Sequence, residues 1–351
     1  MRPRKFHFTR FFSPDVGIDL GTSHTRISLP SEGIVLDEPS IVAVVQGSRR
    51  VLGRNQAVGH LAGAMYGRIP DSVQIIRPVR DGVVADIEVC ATMLRAFLQK
   101  AIPRIWGMRP RALVAVPSGI TQVERQAVLT TTLRAGARQV FLINKSQAAA
   151  LGAGLPLNHP VASMICDFGS GNTEIAVLCL GDVPVRESMR VASEELNYSI
   201  SDFLRRKHRL CVGEQMAERI KLDVGSAIKL DLQLGTEIGG RDLVSGMPRK
   251  MVLTGEQVRE AIEDSLQSIV NGVERVLERC PPELAADLME NGMVLAGGGS
   301  LLRGLDQRLA TVSRMPVRVA ENSTTCVARG LAICLEHLDV WQGLIQNRMA
   351  A

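Results

Sequence analysis

The sequence predicts an α/β protein of two related domains, and three stretches carry that expectation. In Val16-Gly-Ile-Asp-Leu-Gly-Thr-Ser-His-Thr-Arg-Ile-Ser-Leu29 an apolar run reaches Asp19, turns on Gly21 and resumes alternation at Ile27 and Leu29. That is the pattern of a β-hairpin. Met164-Ile-Cys-Asp-Phe-Gly-Ser-Gly-Asn-Thr-Glu-Ile-Ala-Val177 repeats it at a constant offset, with Asp167 on Asp19, Gly169 on Gly21 and Thr173 on Thr25. Such self-similarity points to a duplicated unit. Third, Met293-Val-Leu-Ala-Gly-Gly-Gly-Ser-Leu-Leu302 runs a buried strand into Gly297, Gly298 and Gly299 and then a helix start.

The chemistry of these stretches is consistent with phosphate. Glycine lets backbone N–H groups come close to an anion, and hydroxyl residues such as Thr22, Ser23 and Thr25 add donors. The second turn offers Gly169, Ser170, Gly171 and Thr173 in the same places. A carboxylate cannot face a phosphate directly, so Asp19 and Asp167 imply a hydrated Mg²⁺ reached through water. The glycine cluster at 297–299 makes a surface for a nucleoside. One such hairpin alone reads more readily as an ordinary tight turn. Two of them with the glycine cluster predict phosphate loops facing one nucleotide cleft.

At 351 residues the chain is long enough for two domains or one large α/β unit. The net charge of +5 is mild and, outside the N-terminus, not gathered into a stripe, and aromatics at 3% are too few for stacking platforms. No nucleic-acid partner is expected. Seven cysteines without CxxC spacing read as small reduced hydrophobes rather than disulfides or a zinc site. No apolar run reaches the roughly 18–20 residues of a spanning helix.

The expected organisation is a basic amphipathic segment at 1–15, domain I at 16–150, domain II at 151–325, and a C-terminal helix with its tail at 326–351 returning to domain I. Half of the eight phenylalanines lie in the first segment among Arg2, Arg4, Lys5 and Arg10. Phe8, Phe11 and Phe12 share one face at helical spacing, which suits an anchor on anionic lipid. A tail that packs its rings on the body is the plainer alternative. In the loop Ile102–Pro110, Ile105 and Trp106 are a second membrane candidate beside Arg104 and Arg109, with core packing of Trp106 as the alternative. Helices are expected at about Val89–Ala101, Thr121–Ala135, from near Gln147, Ser193–His208 and Gly213–Val224. The capping box Thr254-Gly-Glu-Gln257 opens a long helix that stops at Cys280-Pro281-Pro282. Asp231–Gly246 reads as short strands around Gly239-Gly240, and Trp341–Ala351 carries no motif.

Further stretches, Gly33–Val42, Ile76–Asp86, Val116–Arg125, Gly213–Lys221, Cys280–Leu284 and Thr325–Gly330, bring the chain into resemblance with the actin-like ATPase superfamily. Within it the chain resembles the MreB family of filament-forming bacterial cell-shape proteins, from about Val16 to about Glu336. The resemblance implies an actin-like ATPase fold whose mixed sheets, flanked by helices, surround a central cleft for ATP or ADP with Mg²⁺. It also implies ribose and adenine contacts from Glu218 and Lys221, although an i,i+3 surface pair has the same spacing. Double protofilaments are implied, on the inner face of the cell membrane in the cytoplasm, with partners among the inner-membrane proteins that elongate the wall of a rod-shaped cell. No sugar pocket of a sugar kinase is recognisable, and the chain ends too soon for an Hsp70-like chaperone.

The sequence departs from that family where hydrolysis is performed. Lys145 stands at the position of the glutamate that orients the attacking water, with Asn144 before it and Ser146 at the usual proline. Asn172 replaces a threonine, His24 an asparagine and Ser170 a glycine. Ala192-Ser193-Glu194 replaces Gly-Gly-Asp. Lysine has no acceptor for a water proton, but it can pair with the γ-phosphate. The expectation is a chain that binds ATP and polymerises while hydrolysing it slowly or not at all. A neighbouring acid, Glu174 or Glu124, substituting for the lost one is the alternative for the site. The alternative for the protein is a hydrolysis-deficient, nucleotide-locked scaffold co-assembling with a true MreB.

Overall fold

The computed structural model describes residues 14–65, 70–102, 109–232 and 234–350. The membrane candidates Phe8, Phe11, Phe12, Ile105 and Trp106 lie outside the described residues. The chain divides into two compact units, Met1–Asn158 with Thr325–Ala351, and His159–Thr324.

The first unit opens with the hairpin of β1 (Asp15–Leu20) and β2 (His24–Leu29), followed by β3 (Gly33–Pro39). A small appendage follows, with β4 (Val42–Val45) and β5 (Val73–Ile76) paired around α1 (Leu52–Asn55) and α2 (His60–Gly63). The two-residue strands β6 (Val79–Arg80) and β7 (Val83–Val84) lead into α3 (Ile87–Ala101). That helix starts where Asp86 accepts from the N–H groups of Glu88 and Val89, an N-cap worth about 1 kcal/mol. It buries Val89, Met93, Leu94, Phe97 and Ala101, a stripe at helical period. β8 (Arg111–Val116), α4 (Gln122–Ala135), β9 (Gln139–Asn144) and α5 (Lys145–Gly152) complete this stretch. Helical crossovers make β1, β8 and β9 parallel neighbours. At their amino ends the buried Arg111 clasps Asp15 through two contacts of 2.6 Å.

The second unit repeats the plan. β10 (Ser163–Phe168) and β11 (Thr173–Cys179) form its hairpin, and β12 (Asp182–Met189) joins the edge. Then come α6 (Ser193–His208), β13 (Leu210–Cys211), α7 (Glu214–Val224), β14 (Gly235–Asp242) and β15 (Pro248–Thr254). The Thr254–Gln257 capping box opens α8 (Gly255–Glu278), and Pro282 begins α9 (Pro282–Asn291). β16 (Met293–Ala296), α10 (Leu305–Ser313) and β17 (Val317–Val319) follow. The main sheet runs β12-β11-β10-β16-β17, with β10, β16 and β17 parallel. Val258, Ile262, Leu266, Ile269, Val273 and Val276 of α8 pack into its core.

The chain then returns to the first unit as α11 (Cys326–Glu336), α12 (Leu338–Trp341) and β18 (Gln346–Ala350). The sheet there reads β18-β9-β8-β1-β2-β3. α11 crosses α5 at backbone contact: a Cβ on Gly152 would sit 1.8 Å from the Cys326 carbonyl oxygen, and one on Gly330 1.8 Å from that of Ala148.

Three elements differ from the sequence reading. The stretch read as short strands around Gly239-Gly240 holds the continuous strand β14, paired with β15 from Gly235 to Arg241. α5 begins at Lys145, about half a turn before Gln147, because Asn144 is the last extended residue of β9. The tail, without motif, supplies β18 because the free edge of β9 accepts it, a tertiary preference that local pattern does not encode.

Candidate functional site

Both glycine turns sit at the carboxyl ends of parallel strands, where α/β sheets bind ligands. In the first, Gly21 N–H donates to the His24 carbonyl at 3.1 Å; in the second, Gly169 N–H donates to the Asn172 carbonyl at 3.1 Å. The turns are thus closed by the same bond at the same offset. Asp19 and Asp167 are each the last residue but one of their strand and are buried, 6% and 2% exposed. Asp19 lies beside Ala115 of β8, and Asp167 beside Ala296 of β16.

In the first turn the side chains tie the loop to β3 and its flank. The Ser40 hydroxyl donates to the Gly21 carbonyl at 2.7 Å and meets Thr25 Oγ1 at 2.8 Å. Thr22 Oγ1, buried, accepts from Gly82 N–H at 2.9 Å, and Ser23 Oγ lies 3.0 Å from His24 Nδ1. Burial, then the nearby Arg26 charge, holds the His24 imidazole below its usual pKa.

In the second turn the partners come from α6, the bend before it and β11. Ser193 N–H donates to the Gly169 carbonyl and Glu194 N–H to that of Ser170, at 3.2 and 2.9 Å. The Ser170 hydroxyl donates to Glu194 at 3.2 Å, so two departures from the family pattern are each other's partners. Gly171 is buried, and Thr173 Oγ1 donates to the Val191 carbonyl at 2.7 Å. Asn172, 4% exposed, donates through Nδ2 to Glu174 Oε1 at 3.1 Å.

The glycine cluster is less open than its composition implies. A Cβ on Gly297, whose φ is +80°, would lie 2.3 Å from the Phe168 carbonyl oxygen, and one on Gly299 2.5 Å from the Phe168 ring. Gly298 is the exposed member, with its nearest neighbour, Thr324, at 3.9 Å. Lys221 is buried, and its ammonium donates to the Ser193 carbonyl (3.1 Å), Ser193 Oγ (2.6 Å) and Glu218 Oε2 (3.1 Å). Three partners saturate an ammonium, so its polar end ties α7 to α6. Burial lowers its pKa, against the pull of Glu218 and Glu194. Glu218 Oε2 also accepts from Asn197 Nδ2.

Lys145 is the first residue of α5, just beyond Asn144, which lies beside Val116 at the end of the β8–β9 ladder. It therefore shares the carboxyl edge of the first sheet with Gly21. Glu124, one candidate substitute acid, accepts from Thr121 N and Oγ1 at 2.7 and 2.9 Å as a helix cap. Ser40 and Asn197 carry no signal in the sequence, since one is brought in by the bend after β3 and the other by the packing of α6 on α7. Among the described residues no group of three or more His, Cys, Asp or Glu could hold a metal, and no helix is long and apolar enough to cross a membrane. Single buried carboxylates fit a Mg²⁺ that keeps most of its waters.

The model of the family described as MreB/Mbl protein matches residues 13–343. Over 338 residues the chain is 45% identical to the cell shape-determining protein MreB of Escherichia coli K12, covering 96% of this chain and 97% of that one. It is 40% identical to the cell shape-determining protein Mbl of Bacillus subtilis over 93% of this chain and 97% of that one. Among solved structures, MreB 5 of Spiroplasma citri bound to AMPPNP matches with a TM-score of 0.87 at 30% identity, covering 95% of this chain and 99% of that one. A chain of the MamK double helical filament matches in fold with a TM-score of 0.75 at 21% identity, covering 92% of this chain and 98% of that one. The chain belongs to the MreB/Mbl family and has its actin-like α/β fold.

Proposed function

We propose that this chain binds ATP with Mg²⁺ at its glycine turns, assembles into filaments and helps set cell shape, with slow ATP hydrolysis. The observation that carries the reading is the pair of turns closed by one bond in two sheets, each with a buried aspartate beside it. The relatives' names and the AMPPNP bound to MreB 5 support it. We extend the reading to the cytoplasmic face of the cell membrane, to double protofilaments, and to partners among the wall-elongation proteins. The 16–150 and 151–325 domains, with the returning 326–351 helix, each supply one turn.

Bound Mg²⁺ neutralises charge on the phosphate oxygens. Asp19 and Asp167 would hold its waters, and the N–H groups around Gly21, Thr22, Ser23, Gly169, Ser170 and Gly171 would cradle phosphate. Gly298 and the Glu218 face of α7 take the nucleoside. Lys145 stands at a helix N-terminus, where a cation is disfavoured by roughly 0.3–1 kcal/mol. A γ-phosphate offsets that cost, and the lysine holds it without activating water. A second reading is a nucleotide-locked scaffold that turns over no ATP beside another MreB, which the acceptor-free ammonium of Lys145 favours.

The test is phosphate release by wild type and Lys145→Glu, with sedimentation in ATP with and without anionic vesicles. A glutamate acceptor should speed release by roughly 10²-fold or more, and wild type should pellet with ATP. Release at equal rates from both proteins would sink the assignment of Lys145. No release from wild type with intact pelleting selects the scaffold.

A further inference from the structure

The spacing of Lys221 from Glu218 suits a nucleoside contact, yet the lysine is only 6% exposed, within the second unit. Its ammonium donates to the Ser193 carbonyl, Ser193 Oγ and Glu218 Oε2 at 3.1, 2.6 and 3.1 Å. A buried charge is costly unless it is paired and hydrogen-bonded, and Ser193 supplies both of the acceptors outside α7. Ser193 is the first residue of α6, where the helix dipole opposes a cation. Packing alone therefore does not account for an ammonium at this point.

The backbone of Ser193 gives the reason. Its N–H donates to the Gly169 carbonyl at 3.2 Å, and the next N–H of the helix, that of Glu194, donates to the Ser170 carbonyl at 2.9 Å. A trans peptide carries its C=O and the following N–H on opposite sides. Pinning these two carbonyls on α6 turns the N–H groups of Ser170 and Gly171 away from the helix, as the successive donors of an anion-binding turn. The start of α6 thus sets the direction of the turn's donors, and Lys221 holds the start of α6. We propose that Lys221 is a positioning residue of the second phosphate turn, acting through Ser193, and not a contact to the base or ribose. The inference rests on the ATP reading above. It also gives a task to Ser193, one of the departures from the family pattern, because a glycine there offers the ammonium its carbonyl alone.

The test compares a fluorescent ATP analogue with adenosine carrying the same fluorophore, on the full chain with Mg²⁺. Lys221→Met should weaken the ATP analogue about tenfold, the scale of one charged hydrogen bond lost, and leave the adenosine probe within about twofold. Ser193→Ala, a milder change at a half-buried residue, should weaken the ATP analogue about threefold with the thermal midpoint unchanged. The double variant should bind it within about twofold of Lys221→Met alone, the non-additivity of residues that act in series. Equal losses of both probes in Lys221→Met mark a nucleoside contact and overturn the inference. So does an ATP affinity that Ser193→Ala leaves unchanged, and this variant decides the matter where Lys221→Met does not fold. A thermal midpoint that falls in step with both affinities in Ser193→Ala marks a merely structural brace and overturns it as well. Failure of the wild-type chain to bind the ATP analogue overturns the ATP reading itself, and this inference with it.

Discussion

The two hairpins share a backbone and differ in what secures it. Each is an antiparallel pair whose first strand has a parallel neighbour, and each turn is closed by a glycine N–H to the carbonyl three residues on at 3.1 Å. The first is clamped from β3 and the 82 turn, through Ser40 and Gly82. The second is clamped from α6 and β12, through Ser193, Glu194 and the Glu174–Ser188 pair. A duplicated fold preserves the main-chain geometry of the turn. The surrounding side chains are free to diverge, and here the divergence is concentrated around the second turn.

Removing the carboxylates is the severest way to break the symmetry. Asp19→Asn and Asp167→Asn should each weaken Mg²⁺-dependent ATP binding, roughly tenfold to a hundredfold as for outer-shell metal partners, read by titrating a fluorescent analogue at fixed Mg²⁺. Unequal losses would show that one hairpin does most of the metal work. Next in size is Gly21→Ala. Its Cβ would stand 2.6 Å from the His24 carbonyl oxygen, a backbone overlap that should cost about 1–3 kcal/mol in urea unfolding. Gly298→Ala, with only Thr324 at 3.9 Å, should leave stability unchanged and weaken nucleotide binding alone. Equal stability losses would contradict the exposure assigned to Gly298.

The smallest effect concerns His24. Its folded pKa is lowered by burial and by Arg26, so the folded state binds fewer protons than the unfolded one. Stability should be fully present above the unfolded value near 6.5 and decline as pH falls through it toward the lowered folded value. His24→Asn, which removes the titrating group, should flatten that decline in thermal midpoints taken between about pH 5 and 7.5. An unchanged slope would assign the decline to another group.

Much of this was legible in the sequence because it is local. Period-two alternation into Asp-x-Gly gave both hairpins, and Thr121-x-x-Glu124 and Thr254-x-x-Gln257 form the capping boxes seen at α4 and α8. What depends on register was not legible. Glu174 and Ser188 are fourteen positions apart, and only the β11–β12 ladder makes them partners. Ser170 and Glu194 read as two unrelated departures until α6 is laid against the turn. Lys221 carried the opposite lesson. Its spacing from Glu218 was correct, but the saturation of its ammonium by Ser193 could not be seen in one helix.

The return of α11 and β18 to the first sheet bears on biosynthesis. The helix against α5, and the strand at the edge of β9, are made from residues that follow the whole of the second unit. During translation His159–Thr324 has all of its residues in hand before the unit that begins the polypeptide does. The usual order, with the earliest domain maturing on the ribosome first, is therefore reversed. The nascent strands of the first unit must wait, with the hydrophobic surface for α11 uncovered, until the residues from Thr325 onward have been made.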